Sequence, residues 1–133
     1  MSTTAVILFA HGAREPEWAQ PFVKVCEQLR AAGIRTELAF LEIMSPSLEE
    51  AAGRIAAERI DAVTIVPLFL AQGRHLKHAL PELVAGIQAR HRNVRFRVTP
   101  ALGDAPELIG AITAWVRRTA VENAAPIDQP ARK

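Results

Sequence analysis

The 133-residue sequence contains no tyrosine and a single cysteine, and aromatic side chains of any kind make up only 5% of it. A core with so few rings rests on Ala, Val, Ile and Leu, the composition of parallel sheets covered by helices. One thiol, Cys26, excludes an internal disulfide. It falls on the apolar face of a predicted helix, where a thiol acts as a small, inert core residue. Neither charge sign dominates: 16 basic and 14 acidic residues leave a formal net charge of +2. That is no footprint for nucleic acid, although a local basic cluster can still meet an anionic small molecule. No stretch approaches the roughly 20 apolar residues of a membrane span. The apolar start, MSTTAVILFAHG, has no basic segment before it and no small-residue cleavage site after it. The expectation is a soluble cytoplasmic protein that engages neither membrane nor nucleic acid.

What is present is a regular alternation. Half of the residues are hydrophobic, enough for one packed core in a chain too short for two. Residues 4–10 (TAVILFA), 34–41 (IRTELAFL), 61–70 (DAVTIVPLFL) and 94–99 (VRFRVT) read as strands. Pro67 cannot donate to a ladder, so the third strand ends or bulges there. The fourth alternates cleanly, which leaves one of its faces wet.

Between the strands, apolar residues recur at helical spacing. They are Trp18, Phe22, Val25, Cys26 and Leu29; then Leu48, Ala51, Ala52 and Ile55 behind the Ser45-Pro46-Ser47 start; then Leu76, Leu80, Leu83, Val84 and Ile87. Leu108, Ile109, Ile112, Trp115 and Val116 mark a last helix, started by Asp104-Ala105-Pro106. The order βαβαβαβα with right-handed crossovers gives one open, four-stranded, mainly parallel sheet with helices on both faces. This domain is expected over residues 1–121, with a disordered tail at 122–133.

Ligands bind such sheets beyond the carboxyl ends of the strands, where His11, Glu42 and the Gln72–His75 turn all fall. His11 precedes Gly12, a residue that lets the chain turn tightly. A neutral imidazole there is a metal ligand or a base; a capping residue and a phosphohistidine nucleophile beside Arg14 are the alternatives. His75 opens the third helix and can be ligand, cap or bystander. His78 shares its helical face, so a His75–His78 pair competes with a His11–His75 pair; a substrate-rim position is the preferred reading of His78. His91, among Arg90, Arg92 and Asn93, suits a helix C-terminus. Glu42 can complete a two-histidine, one-carboxylate set, orient a histidine from behind, or simply flank a helix. Arg14, Arg74 and Lys77 bring positive charge to the same edge as candidate substrate-binding residues.

The segments ILFAHGAREPEW, ELAFLEIMSPSL and VTIVPLFLAQGRHLKHALPEL together resemble the short, single-repeat sirohydrochlorin chelatases of the CbiX type, in the class II chelatase superfamily. The resemblance implies the chelatase-like α/β fold and a homodimer that imitates the two-lobed long enzymes. It implies insertion of a divalent metal as substrate, cobalt first and ferrous iron or nickel as alternatives, into a tetrapyrrole. The product belongs to cobalamin or sirohaem-type biosynthesis. No G-x-x-x-x-G-K-[ST] loop is present, which fits insertion without ATP or another nucleotide.

Carried over by motif, His11, His75 and Glu42 are the metal-binding and catalytic residues. Arg14, Arg74 and Lys77 would meet the acids of the macrocycle, while Leu68 and Leu70 would face its ring. Two positions depart from the family: Arg74 stands where a second glycine is common, and Ala79 where an acidic residue is usual. Ala79 keeps open a non-catalytic metal or tetrapyrrole carrier of the same fold. The phosphohistidine alternative wants an arginine cluster, and the Gly73–His75 turn supplies only Arg74.

Overall fold

The computed structural model describes residues 3–123. Four strands, β1 (Thr4–Ala10), β2 (Arg35–Phe40), β3 (Ala62–Pro67) and β4 (Arg95–Val98), alternate with four helices, α1 (Gln20–Ala31), α2 (Leu48–Ala56), α3 (Arg74–Arg90) and α4 (Pro106–Glu122). The strands form one sheet in the order β2-β1-β3-β4, and every neighbouring pair is parallel. This is the expected open α/β architecture.

The pleat divides the sheet residues between two faces. Ile7 and Phe9 of β1, Ala39 of β2 and Val63 and Ile65 of β3 meet Leu48, Ile55, Leu80 and Ile87 of α2 and α3 in the larger core. Each fully buried aliphatic or aromatic side chain there contributes about 1.5–3 kcal/mol. Ala10 and Phe40 turn to the opposite face and pack against Ala19, Trp18 and Phe22. Cys26 is buried against that face, and burial raises its thiol pKa, as suits an inert core thiol. No helix among the described residues is long and apolar enough to cross a membrane.

Local signals explain the element ends. Ser47 accepts from the backbone N–H of Glu50 while Glu50 accepts from that of Ser47, a capping box that starts α2 and contributes about 1 kcal/mol. Pro16–Ala19 forms a short 3-10 turn before α1, so Trp18 lies on that turn and not on the helix. β3 stops at Pro67 although the apolar run continues to Leu70, because proline has no N–H for the ladder.

Two expectations concern the C-terminal third. Arg95 and Arg97 are exposed while Phe96 and Val98 are half-buried, which is the one wet face anticipated for β4. The last helix forms as expected but buries none of its residues. α4 runs through Glu122, and the remainder of the expected tail, 124–133, lies outside the described residues.

Candidate functional site

β1 and β2 continue to interact past their ends. The Leu41 N–H donates to the Ala10 carbonyl at 2.9 Å, and the Glu42 N–H to the His11 carbonyl at 3.1 Å. Gly12 makes this approach possible. Its φ is +103°, and a Cβ there would lie 1.9 Å from the Glu42 carbonyl oxygen. Any L-side chain would both strain the backbone and push the two loops apart. Directly after Glu42 the chain turns away through Ile43, which has a φ of 72° and is exposed.

β3 delivers the third side of the site. The Leu68 N–H donates to the Phe9 carbonyl at 2.8 Å, and the Phe69 carbonyl accepts from Gly103 at 3.2 Å. A Cβ on Gly103 would meet the Leu70 carbonyl oxygen at 1.6 Å, so a turn after β4 clamps this segment. Phe69 is buried and stands edge-on to the His11 ring, with centroids 6.2 Å apart. α3 then begins at Arg74 behind Gly73, which places His75 in its first turn.

These three chain segments enclose a cavity of about 500 Å³ bordered by His11, Glu42 and His75, with Phe69, Leu76 and Ala79 among its apolar walls. His11 Nε2 lies 3.1 Å from Glu42 Oε2, with the two side chains 53% and 56% exposed. A carboxylate only accepts, so the histidine nitrogen donates in this contact. The spacing has a second meaning. Two ligand atoms at about 2.0–2.2 Å from one ion and at a right angle are about 3 Å apart. A metal can therefore replace the shared proton with little movement of either side chain. Among the described residues, no three His, Cys, Asp or Glu side chains are grouped closely enough to hold an ion as they stand. His11 and Glu42 stand side by side at one edge of the cavity, and His75 borders the same cavity without closing on them.

The other candidates separate. His78 is exposed and does not border this cavity. His91 sits at the far end of α3 beside Phe96. Arg14 and Arg74 are exposed outside the cavity wall. Lys77 lines a neighbouring cavity of about 340 Å³ with Pro81, Val98 and Asp104. Leu68 packs in the smaller core, away from the cavity wall, and Leu70 is exposed. Phe69, between them, is the apolar residue that faces His11. It was hidden in the sequence because VPLFL reads as uninterrupted strand; only Pro67, which ends the ladder, signals that Phe69 belongs to a loop.

A family model, CbiX, matches residues 5–119. The sirohydrochlorin cobaltochelatase of Saccharolobus solfataricus is 34% identical over 91 residues, covering 68% of this chain and 70% of that protein. A crystal structure from Marinobacter aquaeolei VT8, of a CbiX protein assigned to cobalamin (vitamin B12) biosynthesis, superposes with a TM-score of 0.79 at 31% identity, covering 90% of this chain and 98% of that one. The sirohydrochlorin chelatase SirB from Bacillus subtilis subspecies spizizenii, in complex with cobalt, shares the fold with a TM-score of 0.72 at 24% identity. That match covers 87% of this chain and 50% of SirB.

Proposed function

The chain belongs to the CbiX family, and on that premise we propose that His11, Glu42 and His75 form the site at which it loads a divalent metal into sirohydrochlorin. Its activity is that of a metal chelatase on this tetrapyrrole, consistent with cobalamin or sirohaem biosynthesis, and the metal is a substrate of the reaction. Cobalt is the metal we propose, with ferrous iron and nickel as alternatives, and insertion proceeds without nucleotide.

The observation that carries the site assignment is the 3.1 Å contact between His11 Nε2 and Glu42 Oε2 at the edge of the cavity that His75 also borders. A delivery site must hold its ion loosely and leave coordination positions free for pyrrole nitrogens. A histidine–carboxylate corner with a second histidine across the opening has that character. Coordination at His11 Nε2 requires the imidazole proton on Nδ1, a tautomer that the neutral ring adopts without releasing a proton. Each metal ion entering the macrocycle replaces two inner N–H protons. As the metal leaves for the ring, His11 and Glu42 regain free lone pairs and are the bases placed to accept them.

Phe69, Leu76 and Ala79 give the flat ring an apolar wall. Arg14 and Arg74 at the rim and Lys77 in the adjoining cavity are the cations we assign to its peripheral carboxylates. We further propose a C2 homodimer in which two such edges face each other, because one sheet edge covers a planar ring from one side only.

Ala79 on the cavity wall favours a second reading, a carrier that binds metal or tetrapyrrole without turnover. An anaerobic absorbance assay with purified protein and sirohydrochlorin, run with cobalt, iron and nickel in turn, separates the two. A rate above the uncatalysed reaction with at least one metal supports the chelatase; none with any metal supports the carrier.

A further inference from the structure

The described residues contain two complementary deficits. The first is α4, which has no buried residue and whose main contacts within the chain are with the turn Leu102–Asp104. Ile109, Ile112, Trp115 and Val116 recur at i, i+3, i+6 and i+7 on one side of it, and are 45%, 39%, 58% and 49% exposed. Glu107, Arg117 and Arg118 fall on the other side. An amphipathic helix of this kind is built to cover something, and an apolar patch of a few hundred Å² on a single chain marks an interaction surface.

The second deficit is on the sheet. α2 and α3 cover one face, but on the opposite face α1 packs mainly on β2 and β1. The register sets Val6 beside Thr64, and Thr64 beside Arg97. With Val66 these make a strip of β1, β3 and β4 that points away from α2 and α3, and none of the four is fully buried. A mainly parallel sheet normally has both faces covered. Among the described residues, a helix lacks a sheet and a strip of sheet lacks a helix.

We propose that two copies of the chain exchange α4, each laying its Ile109–Ile112–Trp115–Val116 stripe over the open Val6–Thr64–Val66 strip of the other. The exchange is reciprocal and closes under two-fold symmetry, so it satisfies both deficits in both copies without leaving a free surface that would propagate. Two such contacts bring the buried area toward the roughly 800 Å² per partner of a stable interface. The aliphatic stems of Arg95 and Arg97 can lie along the incoming helix while their guanidinium groups stay in water. Trp115, the largest and most exposed member of the stripe, is the expected hot spot. The inference rests on the homodimer proposed above and adds the surfaces that form it.

Sedimentation velocity over a concentration series, with circular dichroism as a folding control, tests it using the full chain. Wild type is expected to be dimeric at micromolar concentration. Trp115→Glu should raise the dimer dissociation constant roughly 100-fold, and Thr64→Glu should also yield monomer. Arg97→Glu, at the exposed margin of the same strip, is the substitute should Thr64→Glu lose its fold; it should weaken the dimer about tenfold. A wild-type monomer would overturn both the pairing and the exchange. A dimer indifferent to Trp115→Glu would keep the pairing and overturn the role of α4. Dissociation by Trp115→Glu with no effect of either strip substitution would mean that the helices pair with each other, which overturns the exchange. The chelation assay reads the site separately from all of these.

Discussion

The two ends of the sheet handle charge in opposite ways. At the N-terminal end, Arg35 grips both oxygens of Glu58, Nε to Oε1 at 3.0 Å and Nη2 to Oε2 at 2.6 Å, and reaches Glu37 at 2.8 Å. Arg54 closes on Glu37 from α2 at 3.7 Å. Glu58 is held below the usual carboxylate range by its bonds to Arg35, and Arg35 is correspondingly raised. At the C-terminal end, His11 and Glu42 share one contact while more than half exposed, and His75 stands across a cavity from them. The first cluster is satisfied by its own partners, and partly exposed ion pairs of this kind add little to stability. The second leaves most of its hydrogen-bonding capacity unused, as a reserve, and it is the end at which we propose the ion is taken up.

The comparison is broken most severely by emptying the reserve. His11→Ala and His75→Ala should each lower the insertion rate more than about 100-fold, beyond the usual effect of losing an outer-shell partner, with unchanged circular dichroism. Loss of fold in either variant would mean that the histidine belongs with the structural charges instead. Glu42→Gln keeps shape and removes the carboxylate; a fall of about 10–100-fold is expected. If Glu42 is a direct ligand, as the 3.1 Å spacing favours, anaerobic cobalt binding falls alongside turnover. A loss of turnover with cobalt affinity intact would assign it to proton transfer alone.

Gly12→Ala probes the hinge on which the reserve depends. The backbone conformation alone costs about 1–3 kcal/mol, and the added carbon would run into Glu42. Thermal unfolding should shift down and insertion should fall together. An unchanged melting temperature would show that the two loops can separate without cost.

The smallest effect is expected at the opposite end. Glu58→Gln should lower Tm slightly at neutral pH and leave insertion untouched. Because the folded pKa of Glu58 is depressed, its contribution is present above the ordinary glutamate pKa. It is lost as pH falls through the folded value. Wild type and variant should therefore converge in Tm in acid; divergence there would reverse the assigned sign.

How much of this was legible in the sequence follows the same division. The sheet was legible because apolar runs of strand length leave few alternatives, and β1 begins and ends where its run does. The convergence of His11, Glu42 and His75 on one edge followed from the parallel topology, since all three come after strand ends. The details beyond the strands were not. Phe69 became a cavity wall and Leu70 an exposed residue because Pro67 released the chain from the ladder, and no periodicity describes a loop. Lys77 looked like a neighbour of His75, but it lines the adjoining cavity on the same helix. The stripe on α4 was legible as apolar, yet spacing alone cannot say whether its sheet belongs to the same chain.

The central claim is that metal passes through a site made by His11, Glu42 and His75, and its competitor is the His75–His78 pair on one helical face. One comparison decides between them: anaerobic cobalt insertion into sirohydrochlorin by His11→Ala and His78→Ala, measured side by side. The account predicts that His11→Ala loses nearly all activity while His78→Ala keeps most of it, since His78 is exposed and does not border the cavity. An active His11→Ala beside an inactive His78→Ala would contradict it.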